Sequence, residues 1–177
     1  VSLAARVLTP RVAGLTVRDD VTPALVVPPG EWVAAAVAAR DAPDLQADMF
    51  DLLTVVDEGV DDGFRLVLHL YSVAVREHVH LETQVVGHPP RVNSVSGVFA
   101  GAGWCEREAW EMFGVVFDGH PDLRPLLLPD GFDGHPLRKD VALAARADRP
   151  WPGSVEPGGE TPRRRLLPPG VPPRDAP

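Results

Sequence analysis

The sequence predicts an α+β fold, a small mixed sheet with helices on one face, followed by an extended C-terminal arm. Three observations carry this. Strand-like runs at Leu52–Val56, Phe64–Val73 and His78–Val86 follow one another across short loops. Helical segments flank them, at Glu31–Arg40 and in a zone from about Ser96 to Phe113. Beyond residue 147 prolines crowd the chain. The 177 residues thus divide into an α+β domain at 1–114, a segment of loop with a specified course at 115–146 and a Pro-rich tail at 147–177. That length suffices for one domain whose core folds without covalent staples.

Taken in order, Leu15–Arg18 and Ala24–Val27 are short apolar runs bounded by turn chemistry, Asp19-Asp20 and Pro28-Pro29-Gly30, and read as edge strands. Glu31–Arg40 (EWVAAAVAAR) is Ala-rich and predicts a helix with Trp32, Val33, Ala36 and Val37 on one side. Leu52–Val56 is apolar and stops at Asp57. Phe64–Val73 alternates, and His78–Val86 alternates again, placing Val79, Leu81, Thr83 and Val85 on one face. The loops between them are short enough for an antiparallel meander. After a polar stretch at Val92–Ser96, the second helical zone ends with Cys105, Ala109, Met112 and Phe113 on one face, and Gly114 follows as a natural C′ residue. Trp110 falls off that stripe, as a half-buried or interface aromatic does.

Composition excludes several functions. One thiol, Cys105, cannot form an internal disulfide framework or supply the ligands of a zinc ribbon or an iron–sulfur cluster. A formal net charge of -8 argues against a nucleic-acid partner, whose phosphates need a basic footprint. No apolar run approaches the roughly 20 residues that a membrane-spanning helix needs. The sequence shows no basic segment followed by an apolar stretch, so a secretory signal is not expected and a cytoplasmic setting is the default. The tail holds nine prolines and four glycines; Trp151, Leu166 and Leu167 are its apolar groups, and Arg163–Arg165 reads as a solvated basic patch.

Most of the information lies in residues 104–140, where Phe-Asp-Gly-His-Pro occurs twice, at 117–121 and 132–136. Each copy has Asp-Gly for a tight turn and a proline that sets the exit direction. Glu106, Glu108, Glu111, Asp118, Asp122, His120, His135 and Cys105 contain the elements of a metal or acid–base site. Their spacing does not assemble one. Glu106 and Glu108 point in different directions on a helix, Arg107 and Glu111 are set for an i, i+4 surface pair, and neither HExxH nor CxxC occurs. Both histidines are expected to cap turns through a ring nitrogen, and Cys105 to be packing. Gly97, Gly101 and Gly103 lack the GxGxxG spacing of a dinucleotide site. The competing reading is a free-standing metal-dependent hydrolase using His120 and His135 with nearby carboxylates.

The string Glu106-Arg107-Glu108-x-x-Glu111-Met112-Phe113-Gly114, then His120-Pro121-Asp122-Leu123-Arg124, Leu128-Pro129-Asp130 and Gly134-His135-Pro136-Leu137-Arg138-Lys139-Asp140, resembles the signature of the 30-kDa subunit family of respiratory complex I. The likeness extends upstream through Asp51–Asp57 and His69–Ser72, covering roughly residues 50–140. Pro125 and Val141-Ala142 depart from the usual pattern, which suggests a divergent branch; membrane-bound hydrogenases use a related subunit.

The resemblance implies a non-catalytic subunit of the peripheral arm, an α+β domain with an arm lying on its neighbours. It would bind no cofactor of its own, the iron–sulfur clusters, flavin and quinone being on partner subunits. Its neighbours would be the quinone-reactive large subunit and the cluster-bearing small subunit, on the cytoplasmic side with only indirect membrane contact. Signature and candidate interface residues are Glu106, Arg107, Glu108, Glu111, Phe113, Gly114, His120, Asp122, Arg124, His135, Arg138, Lys139 and Asp140. Among them Arg107, Arg124, Arg138 and Lys139 are set to bond carboxylates, with Glu106, Glu108, Asp122 and Asp140 as candidates, inside the subunit or across an interface. Arg124 and the Arg138 to Asp140 group lean towards the interface because they lie in loop.

Overall fold

The computed structural model describes residues 2–19, 22–59 and 63–141. The 147–177 tail, with Trp151, Arg163–Arg165, Leu166 and Leu167, lies outside the described residues. In chain order the elements are α1 (Leu3–Leu8), β1 (Thr16–Arg18), β2 (Ala24–Val26), a 3-10 turn at Pro29–Glu31, α2 (Trp32–Asp41), β3 (Met49–Gly59), β4 (Gly63–Ser72), β5 (Glu77–Val85), β6 (Arg91–Asn93), α3 (Ala102–Phe113) and β7 (Val116–Asp118).

The main sheet has strand order β1-β2-β5-β4-β3. β3, β4 and β5 form the expected antiparallel meander, while β2 runs parallel to β5, which makes the sheet mixed. β2 is therefore an interior strand and not an edge; the edges are β1 and β3. β4 decides the two faces by strict alternation. Phe64, Leu66, Leu68 and Leu70 are buried, whereas Arg65, Val67, His69 and Tyr71 look out on the other side. By register, Leu53 and Val55 of β3 and Val79, Leu81, Thr83 and Val85 of β5 join the inner face.

Helices close that inner face. α1 is capped by Ser2, whose hydroxyl accepts the Ala5 N–H at 3.2 Å. α2 packs through Trp32, Ala35, Ala36 and Ala39, the indole being fully buried. This corrects the expected face: Val33 and Val37 are only half-buried, because alanine lets this helix lie close to β5 and pushes the larger valines to the flanks. All three helices share one apolar cluster with the sheet.

The outer face carries paired polar groups. Glu82, 3% exposed, takes Arg18 at 2.5 and 2.9 Å and Arg65 at 3.1 Å, and Arg65 also reaches Glu58 at 2.6 Å. Beside it, the Asp51 carboxylate meets His69 Nδ1 at 2.6 Å, and His69 Nε2 lies 3.0 Å from His78 Nδ1. The two rings are 9° from parallel with centroids 5.2 Å apart. The carboxylate takes the His69 Nδ1–H, and with a neutral His69 ring the His78 Nδ1–H is the donor to His69 Nε2.

The expected polar stretch after β5 contains β6. It pairs in parallel with β7, from Arg91↔Val116 to Asn93↔Asp118, and α3 is the crossover between them. Two boundaries change accordingly. α3 begins at Ala102, since residues 95–100 are turns whose Val98 and Phe99 amides both bond the Val95 carbonyl. Segment 115–146, expected as loop, opens with the strand β7.

Candidate functional site

The signature residues converge on α3 and on the irregular strap that follows β7. α3 ends where Gly114 turns left-handed, φ +79°, its N–H bonding the Trp110 carbonyl at 2.9 Å. This is the C-terminal glycine that the sequence predicts. The chain then runs through β7, reverses at His120 and travels back along the helix.

Three of the four charged side chains of the motif on α3, Glu106, Arg107 and Glu111, each take a different stretch of chain. Glu106, fully buried, accepts the Val95 N–H at 2.7 Å and the Ser94 hydroxyl at 2.5 Å, holding the loop before the helix. Arg107 donates to the Arg124 and Pro125 carbonyls at 3.1 and 2.7 Å. Glu111, 4% exposed, accepts three consecutive amides, Leu126, Leu127 and Leu128, at 3.0, 2.7 and 2.9 Å. The expected Arg107–Glu111 surface pair is thus replaced, because three aligned N–H donors satisfy a buried carboxylate better than one exposed guanidinium. Glu106 is likewise not the partner of a signature arginine. Glu108 is exposed on the helix and bonds none of the four signature cations.

The buried face of α3 is Ala102, Glu106, Ala109, Glu111 and Met112, and the expected stripe members Cys105 and Phe113 are less covered, Phe113 only half-buried. Phe113 meets Phe64 edge-on, centroids 6.3 Å apart. Trp110 is half-buried beside the strap, with Phe132 and Pro129 along a shallow cleft of about 230 Å³.

The two pentapeptide copies clamp opposite ends of the helix. His120 Nε2–H donates to the Gly103 carbonyl at 3.0 Å and its Nδ1 accepts the Asp122 amide at 3.0 Å, the turn cap expected of it. His135 Nδ1–H instead donates to the Glu111 carbonyl at 2.9 Å, occupying an orphan acceptor of the last helical turn. Leu137 N–H then bonds the Met112 carbonyl at 3.1 Å and Lys139 N–H the Asp57 carboxylate at 2.7 Å. The Arg138 guanidinium lies 5.3 Å from the Phe64 ring centroid while gripping Asp140 at 2.9 and 2.7 Å. Arg124 pairs with Asp122 at 2.9 Å, both exposed. Of the predicted charge partners, then, Arg124–Asp122 and Arg138–Asp140 form within the chain. The Lys139 contact is made by its backbone.

Electrostatics separate the two buried glutamates. Burial pushes the Glu106 carboxyl up, against the opposing pull of Ser94, Val95 and His120, whose Nε2 lies 3.9 Å away. At Glu111 burial also pushes upward, but the three amides and the nearby Arg107 outweigh it and hold the carboxyl below its ordinary range. A group raised on folding stabilises fully below its ordinary value, 4.5 here, and loses that contribution as pH rises through the folded value. Glu106→Gln keeps an acceptor for Val95 and removes the ionisation. The stability of wild type relative to this variant should therefore fall from pH 4.5 towards neutrality, as measured by urea unfolding at stepped pH. A difference that stays flat would show that Glu106 ionises as easily folded as unfolded.

Catalytic chemistry finds little here. Both His120 nitrogens are committed to backbone groups, and His135 sits at the far end of α3, roughly 12 Å along the axis from Gly103 to Glu111. The His120–His135 pair of the hydrolase reading is not brought together. Among the described residues no group of three or more His, Cys, Asp and Glu is placed to hold a metal ion. Sequence reasoning missed Trp104, which is 64% exposed beside Arg107; the signal that could have found it was an aromatic off the apolar stripe one turn before Glu108.

A family model described as the 30 Kd subunit of respiratory-chain NADH dehydrogenase matches residues 25–147. The C subunit of an NADH-quinone oxidoreductase from Roseiflexus sp. (strain RS-1) is 42% identical over 120 residues, 67% of this chain and 69% of the relative. Another NADH-quinone oxidoreductase C subunit, the one numbered 2 in Rhizobium meliloti (strain 1021), is 38% identical over 134 residues, 75% of this chain and 73% of that one. Among solved structures, a chain of a membrane-bound sulfane sulfur reductase, an archaeal respiratory membrane complex, shares the fold at TM-score 0.64 and 21% identity, covering 81% of this chain and 85% of its own.

Proposed function

Since the chain belongs to the family of the 30-kDa subunit of respiratory-chain NADH dehydrogenase, we propose that it is a non-catalytic structural subunit of the peripheral arm of a complex I-like quinone oxidoreductase. It holds the quinone-reactive large subunit and the small subunit with the terminal iron–sulfur cluster in place, on the cytoplasmic side of the membrane. Clusters, flavin and quinone belong to its neighbours.

One observation carries this reading above the others. The signature side chains Glu106, Arg107, Glu111, His120 and His135 bond backbone groups and build a rigid strap, leaving no convergent set of reactive groups among the described residues. A surface of irregular chain fixed in this way suits docking, because little ordering entropy is left to spend on binding. No helix among the described residues is long and apolar enough to cross a membrane, which fits contact through partners.

Purifying the complex through a tag on the cluster-bearing subunit tests this. The expected result is this chain at one copy per complex, with no metal or flavin in the chain when it is isolated. Its absence from the complex, or one bound iron or zinc per chain, would overturn the proposal.

A further inference from the structure

We infer that Trp104 is the anchor of this docking face, entering an apolar cleft on a neighbouring protein subunit whose rim carries carboxylates. The inference rests on the subunit role proposed above and specifies the partner surface.

Trp104, Arg107 and Glu111 are spaced i, i+3 and i+7 and lie along one side of α3. The strap covers this line at Arg107 and Glu111 through residues 124–128 and leaves Trp104 beyond its edge. The result is the most exposed Trp, Phe or Tyr ring among the described residues, 64%, well above Phe132 at 49%. A large ring left in water beside a rigid irregular surface is what a binding anchor looks like before its partner arrives.

Two further features give the partner its chemistry. The Arg107 guanidinium lies 5.4 Å from the Trp104 ring centroid and is itself fixed by two carbonyls, so the ring is held by a preset cation–π contact. Arg18, Arg40, Arg65, Arg91, Arg124 and Arg138 all pair with carboxylates of this chain, whereas Arg107, like Arg11, is hydrogen-bonded to backbone carbonyls, with Glu111 near enough to feel its charge but bonded to amides instead. In a chain of net charge -8 this places a cation whose hydrogen bonds, among the described residues, go to neutral carbonyls at the base of the exposed ring. A carboxylate on the partner's rim complements it.

The test compares the free chain with the purified complex. Hydroxyl-radical footprinting read by mass spectrometry should show Trp104 oxidised readily in the free chain and protected in the complex, with Val73 on the β4–β5 turn as an exposed reference. Trp104→Ala should lower incorporation into the complex by about 30-fold in competition with wild type, the loss of a central aromatic anchor, while leaving the melting temperature of the free chain unchanged. Equal oxidation in the two states, or equal incorporation, would overturn the inference while leaving the subunit role standing. Wild-type chain missing from the complex would overturn the subunit role itself. Flotation of the free chain with phosphatidylcholine–phosphatidylglycerol vesicles that depends on Trp104 would assign the ring to a bilayer and also overturn a protein cleft.

Discussion

Gly114→Ala is expected to destabilise the domain by about 2–4 kcal/mol, the sum of a left-handed backbone penalty and a packing collision. The backbone part follows from φ +79° at the end of α3, where an L side chain is strained whatever the space. The collision part is specific to this fold. A methyl at Gly114 would stand 2.7 Å from two atoms of the His135 ring, the group that seals the last turn of the helix. The second pentapeptide copy would have to move, and the strap beyond it would lose its seat on Met112 and Asp57. Chemical denaturation of the variant measures the total. Adding His135→Ala in the same background should recover the collision part and leave the backbone part, so the two substitutions should be strongly non-additive. Simple additivity would show that the ring and the methyl do not meet.

Glu111→Gln is expected to cost a similar amount, about 2–4 kcal/mol, even though its shape is conserved. Leu126 and Leu128 share Oε1 of the carboxylate and Leu127 takes Oε2; a glutamine keeps one neutral oxygen for the pair at best and turns its NH2 donors towards the remaining amide. Leu126, Leu127 and Leu128 would lose protection, so amide exchange at these positions should quicken far more than in β4. The acid limb should change as well. A carboxyl held below its ordinary value contributes stability above 4.5 and loses it as pH falls through the folded value, so wild type should weaken on acidification more steeply than the variant. This is the reverse of Glu106, earlier on the same helix. If exchange at 126–128 is unaltered, the strap is held by something other than Glu111.

The sheet was legible in the sequence because alternation reports burial directly: the strands at 63–72 and 77–85 lie within a residue of their expected bounds. β3 proved longer than Leu52–Val56, since a register shift between Phe50 and Leu52 carries pairing to Met49 through residues whose hydropathy does not alternate. β6 and β7 are three residues each, too short for any period to appear. The site was legible as a motif but not as a set of contacts. Glu106 and Glu111 are nearly invisible to a hydropathy pattern, which counts charge as surface; their burial depends on amides 11 to 17 residues away. The i, i+4 rule favoured Arg107–Glu111 because it sees only the helix, while the strap supplies competitors from outside it. Trp110 drew attention as the off-stripe aromatic, yet the strap half-covers it and leaves Trp104 open, a difference set by where a distant loop stops.

The three amides gathered on Glu111 also bear on how the strap comes undone. Residues 122–128 contain no helix or strand, so their order is borrowed from α3, and α3 in turn has its ends closed by His120 and His135, which flank that stretch on either side. Helix and strap should accordingly open and close as one cooperative unit, with matched exchange free energies, and the docking face should be present whole or not at all.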